Sequence, residues 1–313
     1  MIIVRLMGGL GNQMFQYAFA RSVANRLGTS VYVDTSLLSR VARPASKGVS
    51  AARALDLIPI GVQPRMISSV AAQLLCDAPA NSIFIKVLRK VLRSTRLSRL
   101  VLQEGHSYDE SLVRSIRNQS VLVGRWQSES FFSEHADAVR DEYSFRFFTP
   151  TADAISISKS FDPDCSIAIQ TRRTDYVTEP RYAEAIGALS RDYVFDALAL
   201  ARRRLGTSKL NVFVGGDDVE WCRRVFGSEP GVTILSSEHT QRGFVSHLWL
   251  LTHFKHHVIC NGTFSWWGAW LGEKPGSCIV APETWGRTSE ATPERILPDR
   301  WLTVPNDFEP IAF

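Results

Sequence analysis

The sequence lacks the features of a disulfide-stapled, zinc-binding or membrane-spanning protein. Its five cysteines, Cys76, Cys165, Cys222, Cys260 and Cys278, are scattered, odd in number and form no C-x-x-C pair. They read as reduced, mostly buried thiols in a reducing compartment. His253, His256 and His257 lie close together, but no cysteine or carboxylate pattern completes a metal site, and they read as residues of a helix surface. No stretch of ~18 apolar residues exists, so no membrane-spanning helix is expected. A charged leader with an apolar core is also missing. Met1 opens directly onto Ile2-Ile3-Val4-Arg5-Leu6, a strand pattern, and a cytoplasmic protein is expected. A large excess of charge of one sign is lacking too, with 36 Lys and Arg against 31 Asp and Glu. A net +5 over 313 residues is too mild for a nucleic-acid partner, but suits an anionic small molecule or an acidic membrane surface.

What is present is an α/β alternation in two halves. Apolar residues make up 45% and charged residues 21%, the balance of a soluble globular chain rather than a disordered one. The length allows two domains, divided here as 1–155 and 156–313, with Pro150 and Pro163 marking the junction between Thr149 and Asp164. A last helix can cross back to the first half. Met1–Met7 reads as a strand, Gly8-Gly9-Leu10-Gly11-Asn12-Gln13 as a glycine turn, and Met14–Leu27 as a helix, the opening of a nucleotide-fold unit. Gly9 lets a ligand approach the backbone, and Asn12 and Gln13 add amides at the helix start. The spacing is not G-x-G-x-x-G and no P-loop lysine follows, so no dinucleotide or ATP site is read from it.

The chain is organised around Ser166–Tyr176. Ser166–Ile169 reads as a buried strand, and beyond it the chain turns polar at Gln170, Thr171, Arg172, Arg173, Thr174 and Asp175. Ligands of open α/β sheets bind at such carboxyl strand ends. Arg172 and Arg173 read either as an anion clamp suited to phosphate or as surface ion pairs. Asp175 either holds an arginine or touches substrate.

Other strand ends carry further candidates. After Val121–Val123, Trp126 and Gln127 offer an aromatic platform and an amide for a sugar, with a core tryptophan as the alternative. Phe131–Phe145 reads as helix. Asp217 and Asp218 follow the strand Leu210–Val214, where N-capping of the next helix competes with a ligand role. Val258–Cys260 reads as a strand. Asn261, Thr263 and Ser265 then lead into the helix Trp266–Leu271, a helix N-terminus suited to phosphate. Residues 39–82 read as loops and short helices. Ile83–Leu100 places Lys86, Arg89, Lys90, Arg93, Arg96 and Arg99 at helical spacing among apolar residues. Such a helix either lies on an anionic membrane or packs on its own domain with a solvated charged face.

Five blocks together resemble the α-1,2-fucosyltransferases of glycosyltransferase family 11. They are M-I-I-V-R-L-M-G-G-L-G-N-Q-M-F-Q-Y-A from Met1, G-R-W-Q-S-E-S-F-F from Gly124, T-R-R-T-D-Y from Thr171, F-V-G-G-D-D from Phe213 and N-G-T-F-S-W-W-G-A-W-L from Asn261. The resemblance spans nearly the whole chain. It implies a GT-B fold, two Rossmann-like domains facing a cleft, with no cofactor and no metal requirement. It implies a GDP-fucose donor held mainly by the second domain. The acceptor would be a terminal β-galactoside, fucosylated on its 2-hydroxyl with inversion. The lack of an anchor in the sequence fits a cytoplasmic enzyme acting on soluble or lipid-linked glycan acceptors at the inner membrane face. Carried onto this chain, Arg172 and Arg173 become the pyrophosphate clamp, with Asn261, Thr263 and Ser265 adding phosphate contacts. Asn12 and Gln13 would face the cleft. Asp175 and Glu179 are the candidates for taking the acceptor proton, with a structural Asp175 and a merely exposed Glu179 as alternatives. Two positions depart from the family's pattern. Gln170 stands where the family usually has histidine, and His247 aligns with a position that tends to be acidic. Neutral histidine has one acceptor nitrogen where a carboxylate accepts from both guanine donors. The pair therefore implies rewired base recognition or a different nucleotide-sugar donor. A non-catalytic protein that uses the same residues to hold a glycan or nucleotide is the remaining alternative.

Overall fold

The computed structural model describes residues 1–38, 54–76, 83–94, 99–103, 107–207, 209–235, 244–288 and 295–311. The chain forms two compact units, Met1–Phe148 with Glu294–Ile296, and Thr149–Pro293 with Leu297–Phe313. Each is an α/β layer structure on a parallel sheet, the content of a GT-B fold.

In the first unit, strands β1 (Ile2–Arg5), β2 (Val31–Asp34), β3 (Arg65–Met66), β4 (Arg99–Leu102) and β5 (Ser120–Val123) form a sheet in the order β3-β2-β1-β5-β4. The helices are α1 (Leu10–Arg26), α2 (Ser69–Leu75), α3 (Ile83–Ser94), α4 (Glu110–Ser115) and α5 (Ala136–Glu142). Helix α1 begins at Leu10 rather than Met14, because Gly9 in extended conformation already serves as its N-cap. Its residues are buried almost all round. Helix α3 ends at Ser94, and Arg99 and Leu100 lie in β4, so the helical pattern of 83–100 is cut short by a strand. The span 131–145 holds two 3-10 turns and the short α5 rather than one helix. Residues 39–53 and 77–82, read from the sequence as loops and short helices, fall outside the described residues.

The second unit opens with α6 (Ala152–Lys159), capped by Thr151, whose hydroxyl accepts the Ala154 N–H at 3.2 Å. Its strands are β6 (Ser166–Thr171), β7 (Asn211–Gly216), β8 (Val232–Ile234), β9 (His256–Val258), β10 (Ile279–Pro282) and β11 (Leu302–Val304), in the order β11-β10-β9-β6-β7-β8. The helices are α7 (Thr174–Thr178), α8 (Pro180–Ala185), α9 (Arg191–Leu205), α10 (Val219–Phe226), α11 (Phe244–Leu251) and α12 (Thr263–Gly272). Strand β6 is buried throughout because both of its faces are covered. Ile167 and Ile169 pack with Val212, Val214, Leu198 and Trp221 on one side. Ala168 packs with Phe213, Phe161 and Phe254 on the other.

The histidines are not on a helix surface. His256 and His257 begin β9 and are 2% and 0% exposed. The His256 Nδ1 accepts the Cys278 N–H at 3.0 Å, and His257 Nε2 lies 3.1 Å from the Phe254 carbonyl. Placing them in a strand lets the sheet use their ring nitrogens. None of the five cysteines is in a disulfide, and only Cys165 is exposed.

Candidate functional site

Register builds the site in the second unit. β6 pairs with β7 in step, Thr171 opposite Gly216, so the next residues, Arg172 and Asp217, emerge side by side. β6 pairs with β9 at Ile169 opposite Val258, which brings Asn261 to the same level on the other flank.

Asp217 organises this strand end. Its Oδ1 accepts the Arg173 backbone N–H at 2.8 Å. Its Oδ2 accepts the Thr174 N–H at 3.2 Å and the Thr174 hydroxyl, and lies 3.2 Å from Arg172 Nη1. Arg172 Nη2 also donates to Asp175 Oδ2 at 2.8 Å. The guanidinium lies 5.7 Å from the centre of the Tyr176 ring. Burial alone would lower the Arg172 pKa, but the Asp217 and Asp175 carboxylates outweigh it and raise it. The side chain is 38% exposed, so this fixed charge keeps an open side.

Arg173 is different. It is 8% exposed and lies 4.3 Å over the Trp221 ring. Its Nη1 meets Glu309 Oε1 at 3.0 Å, and its Nε lies 3.7 Å from Asp218 Oδ2. Asp218 also caps α10 by accepting the Trp221 N–H at 2.9 Å, the capping role anticipated as its alternative. The paired arginines therefore divide: Arg172 is presented and Arg173 is packed. Asp175 is engaged by Arg172 through Oδ2, while its Oδ1 is buried without a hydrogen-bond partner. Glu179 is exposed at the junction of α7 and α8.

The loop after β9 engages its Asn261 amide and Ser265 hydroxyl with backbone carbonyls. Asn261 Nδ2 donates to the Gly187 and Trp285 carbonyls, both at 3.0 Å. The Ser265 hydroxyl lies 3.0 Å from the Cys260 carbonyl and 2.8 Å from that of Gly262. Thr263 is the first residue of α12, and the N-cap Gly262 supplies no side-chain hydrogen bond to the helix start. What this loop offers a ligand is thus the N-terminal turn itself, more than the Asn261 amide or the Ser265 hydroxyl. Burial pushes the Cys260 thiol up to about 11, so it is inert.

Gln170 and His247, singled out from the sequence, come together in space. Gln170 lies opposite Gly215 in the β6–β7 ladder and is 4% exposed. A Cβ on Gly215 would stand 2.8 Å from His247 Nε2 and 3.2 Å from Gln170 Nε2, so this glycine gives both side chains their room. His247 Nε2 is buried without a partner, and burial pushes the ring's pKa down to about 4. Phe264 of α12 meets the ring edge-on at 5.9 Å.

In the first unit, Gln127 Nε2 donates to Asn12 Oδ1 at 2.7 Å, which joins two of the amides singled out in the sequence. Gln13 is fully buried. Its Nε2 donates to the Gly8 and Ala54 carbonyls, and its Oε1 accepts the Asp56 N–H at 3.0 Å, so it braces a loop and presents nothing to a ligand. The positive φ of the turn falls on Gly8, at 77°, while Gly9 is extended. Trp126 is fully buried, 4.5 Å from the Phe19 ring and 5.3 Å from that of Phe131. It is a core residue and no sugar platform. Sequence reasoning missed Glu309, Trp221, Thr174 and Tyr176 as the site's support. Only tertiary contact links Glu309 to Arg173, since 136 residues separate them.

The chain is 26% identical over 310 residues to an α-1,2-colitosyltransferase of Escherichia coli, covering 97% of this chain and 98% of that protein. It is 24% identical over 319 residues to the O-antigen biosynthesis glycosyltransferase WbnK of Escherichia coli, covering 96% and 99%. It is 25% identical over 281 residues to the galactoside 2-α-L-fucosyltransferase Sec1 of Mus musculus, covering 87% of this chain and 64% of that protein. The model of the family described as Glycosyl transferase family 11 matches residues 1–304, and the chain belongs to that family.

Proposed function

We propose that the protein is an inverting, metal-independent glycosyltransferase that moves L-fucose from GDP-fucose to the 2-hydroxyl of a terminal β-galactoside. The observation that carries this reading is Arg172, a fixed, half-exposed guanidinium at a strand end. In the reaction, the acceptor hydroxyl attacks the anomeric carbon, the bond to the β-phosphate oxygen breaks, and GDP departs. Negative charge grows on the β-phosphate as that bond opens. Arg172 and the N-terminal turn of α12 are suited to stabilise it, as preorganised charge and oriented N–H groups. The proton of the acceptor passes to a carboxylate. Asp175 is engaged by Arg172 through Oδ2 and its Oδ1 is buried, so the exposed Glu179 is the proton acceptor in this reading. Asn12 and Gln127 belong to the acceptor side.

A second donor is favoured by one observation. Gln170 and His247 meet at Gly215, and both stand where the sequence resemblance implies a different residue. Colitose is fucose without its 3-hydroxyl, and a colitosyltransferase is among the relatives. The alternative is therefore a GDP-linked deoxysugar other than fucose.

Transfer from GDP-fucose, GDP-colitose, GDP-mannose and UDP-sugars to lactose, with EDTA present, tests both readings. Transfer from GDP-fucose in EDTA is the expected result. Preference for GDP-colitose moves the assignment to the second reading. Loss of transfer in EDTA, restored by Mg²⁺, overturns metal independence.

A further inference from the structure

Helix α3 carries more apolar surface than the described residues of its unit cover. Ile83, Val87 and Val91 recur every fourth residue and, at ~100° per residue, fall within about 80° of one another on the helix. They are 78%, 57% and 49% exposed. Ile85 and Leu88, on the other side, are half-buried, and α3 packs against α2. Lys86 and Lys90 flank the exposed stripe and are themselves exposed. A helix that merely packed on its own domain would bury the apolar stripe and leave only the lysines outside. Here both are outside.

We propose that this face of α3 rests on an anionic lipid bilayer. Ile83, Val87 and Val91 enter the boundary between headgroups and acyl chains, and Lys86 and Lys90 sit on the lipid phosphates. Charge selects this occupant. A second copy meeting the face symmetrically would bring Lys86 and Lys90 against their own equivalents, whereas an anionic surface neutralises them. The contact is peripheral, since no helix among the described residues is long and apolar enough to cross a membrane. A short helix with two lysines binds reversibly. The contact is independent of which sugar is transferred.

Sedimentation of the full-length chain with vesicles tests this. The vesicles are phosphatidylcholine alone, or phosphatidylcholine with one-third phosphatidylglycerol. The protein sediments with the anionic vesicles and not with the neutral ones, and high salt releases it. Lys86→Gln and Lys90→Gln each weaken binding roughly fivefold. Val87→Glu abolishes it, while the melting temperature and transfer to a soluble acceptor stay unchanged. Equal sedimentation with both vesicles, or none with either, overturns the proposal. So does a Val87→Glu chain that changes from dimer to monomer without losing vesicle binding, which would make a second copy the occupant. If Val87→Glu does not fold, the two lysine variants decide, because their side chains are exposed.

Discussion

Asp217 stands 3.2 Å from the Arg172 guanidinium and also accepts the backbone N–H of Arg173. One carboxylate thus fixes both the charge that is presented and the chain that presents it. Asp217→Asn keeps the shape and removes the ion pair, which lets Arg172 wander. The expected result is a fall in kcat of about 10- to 100-fold with little change in melting temperature. Steady-state kinetics beside a thermal melt checks it, and Asp217→Ala is expected to lower both.

The two arginines are expected to fail in different ways. Arg172→Ala loses about 100-fold or more in kcat in a folded protein. Arg172→Lys recovers only part of this, because an ammonium lacks the planar fork that holds Asp217 and Asp175 together. Arg173→Ala instead costs about 1–3 kcal/mol of stability, since it unseats a buried group from Trp221 and Glu309. That range allows for solvent screening, as the Asp218 and Glu309 side chains are 34% and 30% exposed. Denaturant titration of each variant, with kcat at one temperature, separates the roles. Equal kinetic losses without a stability difference would put Arg173 in the clamp.

Trp126 tests the core assignment in the first unit. Trp126→Ala is expected to cost about 3–5 kcal/mol, the loss typical of a buried aromatic. Trp126→Phe retains ring contacts with Phe19 and Phe131 and is expected to keep the KM for acceptor within about twofold. A large rise in that KM with stability intact would restore a sugar-binding role.

Acid is expected to destabilise the second unit through its histidines. Burial pushes His247 and His257 each down to about 4. In the unfolded chain both titrate near about 6.5. Between those values the unfolded state binds more protons, so stability is complete above about pH 6.5 and falls as the pH drops toward about 4. Each histidine contributes a slope of about 1.4 kcal/mol per pH unit within that window. His257→Gln is expected to reduce the slope by one such share, read from urea denaturation across the window. An unchanged slope would mean that other groups carry the acid sensitivity.

Much of this was legible because strand-end loops announce themselves locally. Ser166–Ile169 followed at once by polar residues marks the end of β6. Phe213–Asp218 marks the end of β7 in the same way. The pairing of the two ends was not legible, because register depends on which strands are neighbours. The distinct fates of Arg172 and Arg173 were hidden for the same reason: Trp221 and Glu309 reach Arg173 only through the fold. Gln13 looked like a ligand-facing amide, since nothing local marks a loop that needs bracing at Ala54 and Asp56. His256 and His257 were misplaced because polar residues in a short buried strand break the apolar run by which such strands are found. The meeting of Gln170 and His247 at Gly215 needed a third element, α11, which brings His247 to the end of β7.

The tryptophans are distributed very unequally. Of the eight, Trp126 alone lies in the first unit, and Trp266, Trp267, Trp270 and Trp301 form one packed cluster on and beside α12. Tryptophan fluorescence, excited at the red edge of the absorption band where tyrosine does not absorb, is therefore in effect a reporter of the second unit. In the Trp126→Phe chain it becomes entirely so, and the melting of one unit can be followed while the other stays optically silent.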